Sequence, residues 1–188
     1  GTLASASNYY QAVQGEQGFE FELSQAFADY LGVELEIVPF FNLSEMFARL
    51  DSGDLDLIAS GLTYNKVRAE RYRYGPTYRT ISQKLVFKQG RERPRDFDDL
   101  TGNFTVIAKS SHSLTLEEIQ QTNPNLSWNE TEEFDEEELL QAVIDGEIDY
   151  TLADSHTLAL FRRYHPNLSI GFSVTRNDSI AWILRKSN

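Results

Sequence analysis

Residues 53–60 read GDLDLIAS, and residues 146–154 read GEIDYTLAD. Each copy opens on a glycine and an acidic residue, runs through a short apolar stretch and ends on a polar side chain. Each also follows an amphipathic pattern, with Met46, Phe47 and Leu50 before the first and Leu139, Leu140, Val143 and Ile144 before the second. A glycine just past the last periodic residue supplies the left-handed cap that ends a helix, and the apolar run behind it reads as a buried strand. Helix, glycine cap, strand and polar residue therefore occur twice, which predicts two lobes of one design.

Outward from the first copy, Asn42 and Glu45 stand in capping-box spacing ahead of the helix. Further upstream, Phe19, Leu23, Ala26, Phe27, Tyr30 and Leu31 recur at helical spacing, with Gly32 as the cap. Val33, Leu35 and Ile37 alternate with Glu34, Glu36 and Val38, which predicts a strand. Leu3 reads as the tail of another strand, and Asn8-Tyr9-Tyr10 as a polar aromatic loop before a turn at 14–18. Strands alternating with helices predict an α/β fold, each lobe a parallel-majority sheet flanked by helices. Residues 83–88, QKLVFK, read as a strand, and 89–95 as a charged linker containing glycine and proline. The lobe boundary is expected there, with residues 1–88 plus 177–188 as lobe 1 and 89–176 as lobe 2. In lobe 2, strands are expected at 104–108 and 126–128, and a helix at 115–121 with Thr115 and Glu118 in capping spacing. The acidic run 130–138 reads as a solvated face that suits a helix N-terminus.

Twenty-nine acidic against seventeen basic residues give a net charge of −12 over 188 residues. Such a surface repels phosphate backbones and anionic headgroups, so neither nucleic acid nor direct membrane insertion is expected. No apolar run approaches the ~20 residues of a membrane-spanning helix. The absence of cysteine excludes disulfides, thiolate catalysis and sulfur-ligated metals. No basic-then-apolar leader opens the chain, and both ends read as cut from something longer.

In an open parallel sheet, ligands gather at the carboxyl ends of the strands. The first copy runs into GLTYNKVRAERYRYGPTY, residues 61–78, which sets Thr63 and Arg68 on one wall of an expected cleft; the second copy ends at Asp154, on the other. A guanidinium is a planar fork for a carboxylate, and a cation facing an anion complements an amino-acid zwitterion. Taken alone, Arg68 reads more readily as a solvated arginine beside Arg71 and Arg73, and Asp154 reads equally as the cap of a helix starting at Ser155. Ser110, Ser111 and Ser113 fit either a carboxylate-binding helix start or a plain serine cap. Tyr9, Tyr10 and Tyr64 fit either a clamp on the ligand's body or simple packing. His112, His156 and His165 lack metalloprotease spacing, and the chain has no nucleophile elbow and no phosphate-cradling loop. No catalytic residue, metal or cofactor is expected; the visible chemistry is recognition.

These residues resemble the family 3 periplasmic solute-binding proteins over nearly the whole chain. The marks are Gly18-Phe19-Glu20-Phe21-Glu22-Leu23, Ala28-Asp29-Tyr30-Leu31-Gly32-Val33, the 61–78 block, residues 148–154 and the closing strand at 179–186. The resemblance implies a type II periplasmic binding-protein fold, two lobes joined by two hinge strands and closing on an amino-acid-like ligand. It also implies Arg68 as the carboxylate-binding arginine, Asp154 as the ammonium-binding aspartate, Thr63 in the same pocket, and Ser111 and His112 in the carboxylate loop. Residues 27–33, 61–65, 75–78, 82–86, 93–95, 126–128 and 149–155 further resemble the solute-binding-like regulatory domain of the lytic murein transglycosylase F family. That implies a periplasmic sensor, covalently linked to a peptidoglycan-cleaving domain beyond residue 188, in a parent anchored at the outer membrane. Lys66-Val67 replace the family's Thr-Pro and Ser110 its Gly, which extends the expected ligands from amino acids to cell-wall peptides. The alternatives are a freestanding amino-acid-binding protein of an importer and an enzyme of the cyclohexadienyl dehydratase type.

Overall fold

The computed structural model describes residues 1–5 and 8–186. In chain order the elements are β1 (Thr2–Leu3), β2 (Tyr10–Ala12), β3 (Gly15–Gln17), α1 (Phe19–Leu31), β4 (Pro39–Phe40), α2 (Leu43–Ser52), β5 (Leu57–Ile58), α3 (Lys66–Arg71), β6 (Tyr72–Tyr74) and β7 (Arg79–Ile81). They continue as β8 (Gln83–Lys88), β9 (Thr105–Ile107), α4 (Ser111–Gln120), β10 (Asn129–Thr131), α5 (Glu136–Asp145), β11 (Tyr150–Asp154), α6 (Ser155–Phe161), β12 (Leu168–Ser173), β13 (Asp178–Ile180) and β14 (Ile183–Arg185). The chain divides into two compact units, Gly1–Arg79 with Ser179–Asn188, and Thr80–Asp178. It passes from the first to the second within β7 and returns within β13.

The boundary differs from the expected one. β8 was assigned to lobe 1, yet it is the middle strand of a second-unit sheet, antiparallel to β11 on one side and β12 on the other. The 89–95 segment therefore lies inside the second unit. Residues 187 and 188 of the expected lobe 1 segment lie outside the described residues.

The sheets are mixed rather than parallel-majority. β1 pairs parallel with β4, and β9 with β10; in each case a helix connects the two strands, the geometry a parallel pair requires. The antiparallel pairs β14–β5 and β14–β6 belong to the first unit, and β11–β8 and β12–β8 to the second.

In the second unit the β11–β8–β12 sheet is buried on both faces. Val86, Leu139, Leu140, Val143 and Leu168 pack on one side, and Leu85, Phe87, Val106, Leu116 and Leu152 on the other. The alternation of Leu85, Val86 and Phe87 between two cores follows from the twofold period of a strand. Met46, Leu50, Ile58, Ile180 and Ile183 are the deepest apolar side chains of the first unit, each at most 1 % exposed. Both glycine-ended helices behave as expected. Gly53 ends α2 at φ 89°, Gly146 ends α5 at φ 83°, and each donates its amide back to the last helical turn.

Three local expectations are corrected. Residues 33–37 form no strand; they line a surface depression with Phe27 and Leu31, and only Pro39–Phe40 finds a strand partner. The helix expected from Thr115 begins at Ser111, capped by Ser110, whose hydroxyl accepts the Ser113 amide. The strand expected at 126–128 lies at Asn129–Thr131 instead.

Candidate functional site

In the first unit the 61–78 block is set by Asn65, whose side-chain oxygen accepts the amides of Val67 and Arg68 and starts α3. That places Arg68 on the inner face of a short helix, only 7 % exposed, so it is not the solvated surface arginine that its neighbours Arg71 and Arg73 suggested. Its guanidinium sits 5.1 Å over the Phe47 ring. Burial lowers its pKa below the ordinary arginine value, while Tyr74 and Tyr72 act in the opposite direction. Tyr74 ties this corner together: its hydroxyl accepts the Asn65 amide at 3.3 Å and donates to the Thr63 carbonyl at 3.5 Å. Thr63 is buried, and its Oγ1 has no hydrogen-bond partner among the described residues. Tyr64 is half exposed and stacks at a tilt on Tyr74, with ring centres 4.9 Å apart.

Tyr9 and Tyr10 stand on the β2–β3 hairpin rather than in a loop. Their hydroxyls donate to Glu16 at 2.7 Å and Gln17 at 3.0 Å, so these groups brace the hairpin across its own strands. Beneath them Glu20, at the start of α1, is buried and accepts from Tyr78 Oη at 2.5 Å and Trp182 Nε1 at 2.9 Å. The sequence reading passed over Glu20 as a site-shaping group because a carboxylate in a helix's first turn reads as an ordinary dipole partner.

In the second unit β11 ends at Asp154, which is 6 % exposed. Among the described residues its carboxylate makes no capping bond to α6. It accepts instead from His112 Nε2 at 2.9 Å, in the first turn of α4. Burial pulls the His112 imidazole down, but the bond to Asp154 and the charges of Asp154, Glu136 and Asp178 outweigh it, and its pKa is raised. Glu136, the first residue of α5, was read as part of a solvated acidic face. It is instead partly buried: its carboxylate accepts the Asp154 amide at 2.6 Å and has its pKa pushed up by burial and then by the Asp154 charge. Ser110 is spent on its cap and Ser113 donates to Glu130 at 2.5 Å, so the plain structural reading holds for these two serines. Ser111 is partly buried at the first position of α4.

Thr63, Tyr64 and Arg68 are thus brought together in one unit, and Ser111, His112 and Asp154 in the other. The first group follows the first glycine-capped repeat in the chain, and in the second His112 meets Asp154, the last residue of the second repeat. Glu136, like Glu20, is a residue that sequence reading missed; its signal was its adjacency to the Asp135 cap.

Comparison with known proteins gives three findings. The model of the bacterial extracellular solute-binding proteins, family 3, matches residues 4–167. All 188 residues align at 86 % identity with a "Membrane-bound lytic murein transglycosylase F" of Pseudoalteromonas translucida (strain TAC 125), of whose length the chain spans 40 %. Among solved structures, an ancestral arginine-binding protein bound to arginine superposes with a TM-score of 0.84 at 19 % identity, covering 100 % of this chain and 84 % of that one. A putative L-cystine ABC transporter from Listeria monocytogenes gives 0.85 at 17 % identity, covering 100 % and 81 %. The fold is therefore that of the type II periplasmic amino-acid-binding proteins.

Proposed function

This chain belongs to the bacterial extracellular solute-binding proteins of family 3, and from that premise we propose that it is a non-catalytic, ligand-sensing module that recognises a carboxylate-bearing amino acid or cell-wall peptide. The observation that carries the reading is the buried Arg68 guanidinium, in the same 61–78 block as the buried Thr63. A cation taken out of water in this way favours an anion with matching acceptors, and a planar carboxylate engages its donors two at a time. In the first unit Thr63 adds a neutral donor and Tyr64 an aromatic surface, and Tyr9 and Tyr10 brace the β2–β3 hairpin. In the second unit Asp154, at the end of the second repeat, offers the charge that suits an ammonium group, with Ser111 as a neutral donor.

The reading extends to the parent protein. Identity of 86 % along the whole chain to a lytic murein transglycosylase F, of which this chain covers 40 %, supports a regulatory role next to a peptidoglycan-cleaving domain in the remaining length. The family's extracellular placement supports a periplasmic site, with anchoring supplied by other parts of the parent at the outer membrane. No helix among the described residues is long and apolar enough to cross a membrane.

The test is calorimetric titration with free amino acids, peptidoglycan stem peptides and the corresponding carboxamides. A stoichiometric, on the order of micromolar interaction that disappears when the carboxylate becomes an amide supports the reading. Equal binding of acid and amide rejects it.

A further inference from the structure

We propose that His112, Glu136 and Asp154, with Gln83 beside them, form a divalent metal site of the zinc type inside the second unit. Three separate elements deliver these groups. His112 comes from the first turn of α4, Glu136 opens α5, and Asp154 ends β11. The helix starts are fixed by the Ser110 cap and by the Asp135–Glu138 capping box, so two of the donors stand on anchored backbone. His112 Nε2 is 2.9 Å from Asp154 Oδ1, and one donor atom of each of the three residues lies within 4.8 Å of the others. A tetrahedral zinc ion with bonds of about 2.1 Å spaces its ligand atoms by roughly 3.4 Å, so no donor pair needs to close by more than about 1.4 Å, and the His112–Asp154 pair opens by about 0.5 Å.

A second, independent observation points to the same place. Gln83 in β8 pairs directly with Asp154 across the antiparallel ladder, and opposed residues project their side chains to one face of the sheet. Gln83 is 1 % exposed, and its Oε1 has no hydrogen-bond partner among the described residues. A buried amide oxygen without a donor is costly, and a cation beside it removes that cost. Charge agrees as well: two carboxylates and a neutral imidazole balance a doubly charged ion, and Asp178 adds a further negative charge within electrostatic reach. A nitrogen and oxygen donor set with no sulfur suits zinc or a similar first-row ion, and the imidazole disfavours calcium and magnesium. The alternative to a metal is the internal His112–Asp154 ion pair, and it leaves Gln83 Oε1 unused.

The proposal shares Asp154 with the ligand reading, the metal taking the place of the ammonium group there, but its test uses the metal alone and so stands or falls separately. Zinc is titrated calorimetrically into the chelator-treated chain, with calcium as comparator, while the His112 ring signals are followed by NMR. We expect one zinc per chain at micromolar or tighter affinity, with the His112 signals shifting in step. His112→Ala and Asp154→Asn each weaken binding at least about tenfold, and His165→Ala changes nothing. Overturning results are no saturable binding below about 100 μM, tighter binding of calcium than zinc, unshifted His112 signals in the unaltered chain, or zinc binding unaffected by His112→Ala.

Discussion

Arg68 is where charge, burial and recognition meet. It is held over Phe47 and next to Tyr74 by a helix whose start Asn65 fixes, so its fork is oriented before any ligand arrives. Preorganisation of this kind favours the planar guanidinium over a point charge. Arg68→Lys is therefore expected to keep the fold and to weaken carboxylate binding at least about tenfold, as read by calorimetry. Equal affinity in the variant contradicts the bidentate role. Glu136 gives a pH signature. Its carboxyl is pushed up to about 8 from an ordinary 4.5, chiefly by burial and then by the Asp154 charge. The folded protein thus keeps a proton that the unfolded chain releases, and stability falls as pH rises from about 4.5 through about 8. His112, also raised, adds to the same trend: its contribution is complete below its ordinary value of 6.5 and is lost above. Urea unfolding of the chelator-treated, metal-free chain is expected to show a loss of at least about 1 kcal/mol between pH 5 and pH 8, and Glu136→Gln is expected to reduce that slope. A slope unchanged by Glu136→Gln contradicts the partly buried carboxylate. At this scale the burial of Arg68 and Asp154 agrees with their places, one after the first repeat and the other at the end of the second. Asp154's true partner was not legible in the sequence, because His112 lies 42 residues away and no local pattern links them.

Among the elements, the legible ones are those that announce their own ends. Asn42, Gly53, Asp135 and Gly146 bound α2 and α5 through hydrogen bonds within a few residues, which is information a sequence carries locally. Strands depend on distant partners. Residues 33–37 alternate as a strand should, yet no neighbour pairs with them, whereas QKLVFK gained two partners from far along the chain. The start of α4 was missed because Ser110 and Ser113, the capping pair, sit inside a serine-rich stretch that also reads as a loop. Gly18 shows the opposite case, a residue whose reason appears only in the fold. It lies at φ 130°, and a Cβ there would stand 2.2 Å from the backbone carbonyl oxygen of Asn8. Gly18→Ala is expected to destabilise the protein by about 2 kcal/mol or more, combining backbone strain with a clash that must displace the segment before the β2–β3 hairpin. A chemical-denaturation midpoint unchanged by Gly18→Ala contradicts that contact.

For the molecule as a whole, the repeat in the sequence corresponds to two compact units that carry complementary charges: a buried guanidinium in one and a buried carboxylate in the other. The boundary between units was less legible than their number, since the charged 89–95 stretch has the composition of a linker but lies within one unit. A ligand present at about 100 times its dissociation constant is expected to stabilise the folded chain by about 2.7 kcal/mol, measured as a shift in thermal unfolding. Amino acids or stem peptides that leave the unfolding temperature unmoved at such concentrations contradict a sensing role. The most direct test is a heteronuclear NMR titration of the chain and its Arg68→Lys variant with a carboxylate ligand and its carboxamide. The account predicts saturable shifts at Thr63 and Arg68 for the carboxylate alone, reduced in the variant; identical shifts for acid and amide, or for both forms of the protein, would contradict it.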